Sequence, residues 1–352
     1  MPDIAKTDKN FAVESTLNIP GIRFYDPLQK PFAIYGVFYE DGLFHRMPAS
    51  VAKTVSQRVY DLHTHTSGGR VRFVTNSSYI VIKAKMPEIS RMSHFTLSGT
   101  GGFDLYIGKK PRFQGCFIPK YTMQDGCESI CRFENRKRRV ITINFPLYSS
   151  ISELYIGLEE SAFVEAADGY PCEKPLVFYG SSITQGACAS RPGNAYTCAV
   201  SRALDMDYIN LGFSGNARGE QAMAEYIASL DMAAFIYDYD YNAPDLEHLQ
   251  NTHANMFQTI RKANPDLPVI ILSRPSYNPT AEEKQRKQII LKTYSDSLAA
   301  GDKNVYFIDG KELMKYAKFD GTMECCHPND LGFYSMTKVL LKQLKPILKQ
   351  KA

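Results

Sequence analysis

The sequence of 352 residues contains no tryptophan, no Cys-x-x-Cys pair and no long apolar run. A membrane-spanning helix needs about 20 mostly apolar residues, so we expect no membrane partner. The stretch that begins at Met1 also lacks the apolar core of a secretory signal. This favours a cytoplasmic location, or secretion if a signal was removed.

The eight cysteines are scattered along the chain. In a chain of this length, such a distribution indicates reduced, mostly buried thiols rather than a disulfide framework or a zinc site. The His63-Thr-His65 pair could be imagined as metal ligands. No thiols or carboxylates accompany it at metal-ligand spacing, so we predict no metal site there.

The chain also lacks a strong excess of either charge, because Lys and Arg together number 41 and Asp and Glu together number 37. That small excess predicts neither a nucleic-acid partner nor attraction to an anionic membrane. Hydrophobic residues make up 44% and charged residues 22%, as in ordinary globular proteins. The length favours two domains, and a homo-oligomer is left open.

Residues 1–162 are predicted to form an all-β domain. From about residue 20, segments rich in aromatic and β-branched residues are separated by turn signals, a pattern typical of a sandwich or jelly roll. The predicted strands are Phe32–Tyr39, Arg70–Thr75, Tyr79–Ala84, His94–Leu97, Phe103–Ile107, Arg139–Phe145 and Glu153–Leu158. One interruption, Ser50–Leu62, has apolar residues three or four apart, so a helix is expected there.

Residues 163–175 are predicted to be a linker, and residues 176–352 alternate strand and helix patterns. This alternation indicates a mostly parallel, doubly wound sheet. The predicted strands are Leu176–Tyr179, Tyr208–Leu211, Ala233–Tyr239, Pro268–Leu272 and Val305–Ile308. The predicted helices lie near Ala195–Leu204, Gly219–Leu230, Leu246–Ala263, Ala281–Leu298 and Asp330–Leu348. Right-handed crossovers place the carboxyl ends of all strands at one edge, where such folds bind ligands.

A candidate nucleophile, Ser182, stands at that edge. The strand Leu176–Tyr179 ends in a Gly-Ser-Ser turn before a predicted helix, which raises the serine hydroxyl above the sheet. A serine needs a base within hydrogen-bond reach. His327 is the best candidate, because the proline that follows holds it extended before the last helix. Glu324, three residues upstream, is the candidate to accept from the other ring nitrogen.

Acyl transfer also needs hydrogen-bond donors for the developing oxyanion. The backbone N–H groups of Ser182 and Gly215 and the side-chain amide of Asn242 are the candidates. Tyr241 and Arg191 are candidates for substrate contacts. The alternatives are that the tyrosine only packs and that the arginine is an ordinary surface residue.

These residues resemble the sequence blocks of the SGNH hydrolases, also called G-D-S-L esterases. The family has a Gly-Asp-Ser turn, a glycine, a Gly-x-Asn block and an Asp-x-x-His block. They are matched in order by Gly180-Ser181-Ser182, Gly215, Asp240-Tyr241-Asn242 and Glu324-x-x-His327. Ser181 and Glu324 replace aspartates, and Asp240 replaces a glycine. The N-terminal half resembles the β-rich domain of a subset of these enzymes, whose Gly-x-Asp-Leu-Tyr motif appears at Gly102–Tyr106.

The resemblance implies a flavodoxin-like sheet of five parallel strands after the all-β sandwich or jelly-roll domain. It implies Ser182 as nucleophile, His327 as base and the three donors above as the oxyanion hole, without metal or organic cofactor. Because Glu324 departs from the pattern, three alternatives remain for orienting His327: Glu324, Asp320, or no acid at all.

The function implied is a serine esterase that removes a short acyl group, foremost acetyl, from a hydroxylated substrate such as a carbohydrate through an acyl-enzyme on Ser182. The expected partner is therefore a small-molecule or glycan ester. An acyltransferase with the same residues and an inert carbohydrate-binding protein are the alternatives. In the β domain, Asp104 and Tyr106 are equally compatible with a functional and a packing role.

Overall fold

The computed structural model describes residues 15–349, so residues 1–14 and 350–352 of the two expected domains lie outside the described residues. The chain divides into two compact units. The first contains the chain up to His45 together with Thr64–Gly169, and the second contains Arg46–His63 together with the chain from Tyr170 onward. The division after Gly169 falls inside the expected linker 163–175.

The first unit consists of antiparallel strands. They are β1 (Ile22–Tyr25), β2 (Ala33–Tyr35), β3 (Phe38–Glu40), β4 (Leu43–His45), β5 (Arg70–Thr75), β6 (Tyr79–Lys85), β7 (Phe103–Ile107), β8 (Arg112–Phe117), β9 (Gly126–Arg132), β10 (Arg139–Asn144), β11 (Glu153–Glu159) and β12 (Val164–Glu165). One sheet has the order β1-β11-β6-β9. The other has the order β12-β5-β10-β7-β8, with β2 also paired to β5, and β3 and β4 form a hairpin.

Apolar side chains from both sheets form the core of this unit. Ile80 and Ile156 from one sheet and Phe73, Leu105 and Ile141 from the other are fully buried in the same cluster. Each such side chain contributes about 1.5–3 kcal/mol when it is buried. The predicted antiparallel sandwich is therefore confirmed.

The Gly-x-Asp-Leu-Tyr motif lies in β7 of this sandwich. Asp104 is fully buried and accepts a hydrogen bond of 2.7 Å from Asn144, its partner across the strand pair. Tyr106 is buried too, and its ring packs edge-on against Phe113 at 5.8 Å. A buried carboxylate needs such a partner, and these contacts favour the packing interpretation of the motif.

The structure corrects two strands of the sequence prediction. Phe32–Tyr39 is not one strand, because Gly36 has a φ of +73° and divides it into β2 and β3. A Cβ at Gly36 would lie 2.2 Å from the carbonyl oxygen of Gly68, so only glycine fits. His94–Leu97 is not a strand either. The Phe95 N–H bonds to the Met92 carbonyl in a tight turn, and the helical turn Leu97–Thr100 begins directly after it.

The second unit contains a five-stranded parallel sheet. Its strands are β13 (Cys172–Gly180), β14 (Met206–Gly212), β15 (Ala234–Asp238), β16 (Val269–Leu272) and β17 (Val305–Ile308). The order β14-β13-β15-β16-β17 with all pairs parallel is the predicted doubly wound, flavodoxin-like arrangement. β14 lies on one side of β13, and β15, β16 and β17 follow on the other side, so the strand order reverses at β13. The carboxyl ends of the central strands meet at one edge.

The helices of the chain are α1 (Ala49–Val55), α2 (Gln57–Leu62), α3 (Leu97–Thr100), α4 (Ser182–Gln185), α5 (Tyr196–Leu204), α6 (Gln221–Ala228), α7 (Leu246–Ala263), α8 (Ala281–Ala299), α9 (Gly310–Leu313) and α10 (Asp330–Lys349). On one face of the parallel sheet, Phe178 packs against Tyr196 of α5, and α5 packs against α10. On the other face, Val177 and Tyr179 lie in a core shared with α6, α7 and α8. Within residues 15–349, no helix has both the length and the apolarity to cross a bilayer.

The segment Arg46–His63 was expected inside the β domain, but it is part of the second unit. It forms α1 and α2, divided at Ser56, whose extended backbone ends the first helix and whose side chain accepts from the N–H of Val59 in the second. Met47, Ala52 and Val59 are buried in the same core as α6 and α7. The helical spacing of Ser50–Leu62 was recognised correctly, but spacing does not identify the surface that a helix covers.

Candidate active site

Three neighbouring strands of the parallel sheet end side by side. Gly180 at the end of β13 is paired with Gly212 of β14 on one side and with Asp238 of β15 on the other. The loops that follow these strands carry Ser182, Gly215 and Asn242, respectively. The topology therefore brings the predicted nucleophile and the predicted oxyanion donors to one edge.

Ser182 is the first residue of the short helix α4. The Ser181 side chain caps this helix by accepting from the Ile183 N–H at 3.2 Å. The turn requires glycine before it, because a Cβ at Gly180 would lie 2.2 Å from the Thr184 hydroxyl. Ser182 is 8% exposed, and its Oγ lies 2.8 Å from Nε2 of His327. The structure thus brings the candidate nucleophile and base into hydrogen-bond contact.

Glu324 lies at the other ring nitrogen of His327. Its carboxylate hydrogen-bonds Nδ1 and also accepts from the His327 backbone N–H at 3.2 Å. Burial raises the pKa of Glu324, but the hydrogen bonds and charge of His327 outweigh that effect, and the net pKa is lowered. Asp320 is exposed, and its backbone carbonyl accepts from Asn329. Among the three alternatives for orienting His327, this geometry favours Glu324.

The loop that carries His327 is fixed at both ends. The His327 carbonyl accepts from the Met323 N–H at 2.8 Å. The Asn329 side chain caps α10 by accepting from the backbone N–H groups of Leu331 and Gly332. Asp330, the first residue of α10, accepts from Ser190 and Asn194 at 2.9 Å. These bonds connect the loop that carries His327 to the segment that follows Ser182, and so they help to fix the relative positions of the two residues.

Side-chain amides join the Gly215 loop to α4 and the Asn242 loop to the Gly215 loop. Gln185 of α4 is fully buried and accepts from the Ser214 N–H at 3.0 Å, next to Gly215, whose φ is +70°. Asn242 accepts from the Ala217 N–H through its Oδ1 at 3.2 Å, which leaves its NH₂ as the donating side. Both contacts hold the loops that carry the predicted donors, and the role of these donors as an oxyanion hole stays a prediction.

Asp238 connects the turn that carries Ser182 to helix α5 through two hydrogen bonds. It is buried at the end of β15, and its carboxylate accepts from the Thr184 hydroxyl and the Tyr196 hydroxyl, both at 2.8 Å. Burial raises the pKa of Asp238 to about 7 despite these two hydrogen bonds. Asp238 was noticed in the sequence only as part of a polar cluster after a strand. Its actual contacts, with α4 and α5, depend on the tertiary fold.

Asp240, which stands where the family pattern has glycine, is matched by a buried arginine. The Arg286 guanidinium lies 3.6 Å from the Asp240 carboxylate and donates to the backbone carbonyls of Asp240 and Ala243 at 3.2 and 3.1 Å. The Asp240 carboxylate also accepts from the Arg274 N–H at 3.2 Å. Asp240 is therefore part of a hydrogen-bond and ion-pair network that holds the loop carrying Asn242.

Tyr241 and Arg191, the two predicted substrate contacts, have different surroundings. The Tyr241 ring lies beneath the Arg274 guanidinium at 3.6 Å, and its hydroxyl lies 3.4 Å from the Cys326 carbonyl. Tyr241 thus supports the histidine loop. Arg191 is half-buried and begins the turn Pro192–Asn194. Substrate contact by either residue stays a prediction.

Arg46 is a further residue of this region that the sequence did not reveal. Its buried guanidinium donates to the carbonyl oxygens of Asn210 at 3.2 Å, Gly212 at 2.6 Å and Leu62 at 2.7 Å. It also covers the Phe213 ring at 4.7 Å. Arg46 therefore holds the end of β14, just before the Gly215 loop. Nothing in its local sequence signals this role.

The described residues of this unit contain one group of side chains with metal-binding donor types close together. One ligand atom each from Glu324, Cys326 and His327 lies within 4.8 Å of the others. All eight cysteines are reduced thiols, outside any disulfide. Burial raises the pKa of Cys188 to about 12.

A cleft of about 860 Å³ lies at the opposite edge of the parallel sheet. It is lined where the strands begin, by residues that include Cys172, Met206 and Pro268, and by the last turns of α5, α7 and α10. Ser182 lies at the carboxyl edge, so this cleft is separate from the predicted catalytic residues.

Comparison with known proteins identifies both halves of the chain. The GDSL-like lipase/acylhydrolase family matches residues 173–345, and the GxDLY N-terminus of SGNH-hydrolase-type esterases matches residues 22–164. A solved structure described as a GDSL-like lipase from Bacteroides ovatus is 30% identical, with a TM-score of 0.84 over 93% of this chain and 98% of that chain. None of the curated proteins compared with the chain matches it.

Two further solved structures share the fold at lower identity. A salicylyl-acyltransferase from a tetracycline biosynthetic pathway is 17% identical, with a TM-score of 0.76 over 94% of this chain and 98% of that one. An acetyl xylan esterase from the rumen bacterium Butyrivibrio proteoclasticus is 13% identical, with a TM-score of 0.62 over 93% and 99%. With both halves matched and 30% identity along nearly the whole length of the Bacteroides ovatus protein, the chain belongs to the GDSL-like lipase/acylhydrolase family of SGNH fold and is an ester-hydrolysing enzyme.

Proposed function

We propose that this enzyme removes short acyl groups, foremost acetyl, from the hydroxyls of a carbohydrate through a covalent intermediate on Ser182. The observation that carries the proposal is the 2.8 Å contact between Ser182 Oγ and His327 Nε2, with Glu324 bonded to the other ring nitrogen. A serine hydroxyl becomes an effective nucleophile when a positioned base accepts its proton.

In the first step, Ser182 Oγ attacks the ester carbonyl carbon while its proton passes to His327 Nε2. The ionised Glu324 accepts from Nδ1–H, so that the lone pair of Nε2 faces the serine, and it then stabilises the imidazolium. The lowered pKa of Glu324 supports this role, because the carboxylate stays ionised below the ordinary range of glutamate. Glu324 is thus a positioning residue, and Ser182 and His327 are the groups that react.

The negative charge that develops on the carbonyl oxygen needs donors already in place. We assign this role to the N–H groups of Ser182 and Gly215 and to the amide of Asn242. Gln185 holds the Gly215 loop, and the Ala217 N–H sets the orientation of the Asn242 amide. Each such donor typically contributes about 10²–10³ in rate.

The tetrahedral intermediate collapses when the C–O bond to the sugar breaks and His327 returns its proton to the leaving alkoxide. An acyl-enzyme on Ser182 and a free sugar hydroxyl result. Water then attacks the acyl carbon, again with His327 as base, and the second collapse releases the carboxylic acid and restores the serine.

The acetyl group and the carbohydrate are inferred from structural likeness. The acetyl xylan esterase shares the fold and both units of this chain at 13% identity. The salicylyl-acyltransferase shares the fold at 17% identity, and the same serine and histidine could pass the acyl group to an alcohol in place of water. Product analysis of acetylated oligosaccharides, with and without an added alcohol, separates hydrolysis from transfer.

The test of the mechanism is hydrolysis of p-nitrophenyl esters of increasing chain length and of acetylated xylan oligosaccharides, with fluorophosphonate labelling read by intact mass. The wild type should take up a single label, and Ser182→Ala should take up none. Its kcat should fall by about 10⁶-fold, as removal of a serine nucleophile does.

Ser181→Ala is the matched control. It removes the neighbouring hydroxyl, which only caps α4, at a cost of about 1 kcal/mol in stability. It should keep both the label and most of the activity. Equal activity in wild type and Ser182→Ala would refute the assignment of the nucleophile, and a preference for long acyl chains would refute the acetyl substrate.

A further inference from the structure

We propose that Glu324, Cys326 and His327 form a binding site for Zn²⁺, and that zinc bound there switches off ester hydrolysis. A carboxylate oxygen, the thiol sulfur and a ring nitrogen lie within 4.8 Å of one another. Proteins bind zinc with these three donor types, at bond lengths of about 2.0–2.3 Å. The inhibitory effect rests on the function proposed above, whereas the binding site itself does not.

The geometry is close to what a zinc ion needs. With those bond lengths and tetrahedral angles, ligand atoms around zinc lie roughly 3.3–3.6 Å apart. Adjustments on the order of 1 Å therefore suffice to close the three ligands around a metal. The side chains of His327 and Glu324 are 20% and 40% exposed, so the ion can reach them from solvent. A fourth position stays open for water, as in other zinc sites with three protein ligands.

The charges of the region also suit a divalent cation. The Cys326 side chain is hydrogen-bonded to Tyr241 and to Arg274, which zinc must displace from the sulfur. The positive charge of Arg274 is offset by its pairing with Glu283 at 2.9 Å. Zinc binding releases the Cys326 thiol proton to solvent. The thiolate and the Glu324 carboxylate then balance the two charges of the metal. Mg²⁺ and Ca²⁺ prefer all-oxygen ligand sets, so the sulfur and nitrogen donors favour zinc.

Zinc at this place inactivates His327 whichever ring nitrogen it takes. A metal on Nδ1 displaces the hydrogen bond to Glu324 and leaves the single proton of the neutral ring on Nε2, which then cannot accept from Ser182. A metal on Nε2 occupies the lone pair that the serine needs. The two nitrogens are chemically coupled in this way in any neutral imidazole.

Direct zinc titration of the full-length protein, by calorimetry and by competition with a chromophoric chelator, tests the site apart from catalysis. Ser182→Ala should bind one Zn²⁺ per chain as tightly as wild type, because it keeps all three ligands. Cys326→Ser should weaken binding by more than the roughly 10–100-fold that loss of a group hydrogen-bonded to a ligand costs. Cys325→Ser, which alters the adjacent exposed thiol outside the cluster, should bind like wild type.

In the activity assay, zinc should inhibit wild type and Cys325→Ser in parallel with binding, and a chelator should restore turnover. Cys326→Ser should keep its basal activity and resist zinc. Glu324→Gln, measured by binding alone, provides a second variant if Cys326→Ser does not fold. Wild-type zinc affinity in Cys326→Ser, or no zinc binding by wild type, would overturn the proposal. An enzyme that binds zinc but hydrolyses no ester would instead contradict the proposed function.

Discussion

Asp238→Asn should change the pH dependence of stability, because burial keeps this carboxyl protonated up to about neutral pH. The pKa of Asp238 is raised from 3.8 to about 7. Between those values the folded protein holds the proton more tightly than the unfolded chain. The free energy of unfolding therefore falls as pH rises from about 4 to 7. Three pKa units at about 1.36 kcal/mol each give a loss of about 4 kcal/mol.

His253 produces a slope of the opposite sign. It is fully buried, stacks on Tyr237 at 4.6 Å and bonds to the Thr293 hydroxyl at 2.8 Å. Burial lowers its pKa from 6.5 to about 3. The unfolded chain takes up this proton first, so stability is lost as pH falls from about 6.5 to 3. Between about pH 4 and 6.5 the two effects nearly cancel in the wild type.

Urea unfolding of wild type, Asp238→Asn, His253→Phe and the double variant measures this cancellation. From about pH 4.5 to 6.5, the stability of Asp238→Asn relative to wild type should rise by roughly 3 kcal/mol, and that of His253→Phe should fall by a similar amount. Only slopes are compared, because each substitution also loses hydrogen bonds at every pH. The comparison is valid if the dependence of the unfolding free energy on urea, the m-value, is the same in all four proteins. A slope for Asp238→Asn equal to that of wild type would refute the raised pKa.

Three further predictions concern the active-site scaffold. Gln185→Leu removes the acceptor that holds the loop with Gly215, the proposed oxyanion donor, so kcat in steady-state assays should fall by about 10²-fold, as for a misplacement of about 1 Å. Gly180→Ala puts a Cβ 2.2 Å from a threonine hydroxyl and should cost about 1–3 kcal/mol in thermal unfolding, whereas the open Gly169→Ala should cost little. Glu324→Gln should lower kcat by up to about 10⁴-fold with KM nearly unchanged. Asp320→Asn should match wild type, and equal losses in both would contradict the assignment of the orienting acid.

The sequence predicted the parallel sheet well because buried strands and amphipathic helices have distinct periods. Leu246–Ala263 and Val305–Ile308 were predicted to the residue. β8 (Arg112–Phe117) was missed because three of its six residues are exposed and only Phe117 is buried, so the segment has no apolar face. Gly36 broke a predicted strand through a backbone conformation that composition does not reveal.

At the active site, the sequence predicted which residues lie at one edge but not how they are held there. Glu324 and Asp320 both precede His327 by a few residues, and sequence spacing cannot choose between them. The structure favours Glu324, because Cys325 has a φ of +65° and the chain turns back so that the carboxylate meets the ring. The contacts of Arg46 and Arg286 come from distant parts of the chain, and no local pattern encodes them.

The membership of Arg46–His63 in the second unit bears on how this enzyme can be divided. A fragment that begins near residue 170 would contain Ser182, Gly215, Asn242 and His327, yet it would lack α1 and α2. The apolar surface of α6 that Ala52 and Val59 cover would then face water, and the carbonyls at the end of β14 would lose their arginine donor. A hydrolase half made without the β domain should therefore include residues 46–63 joined to the α/β segment, because these residues complete its core.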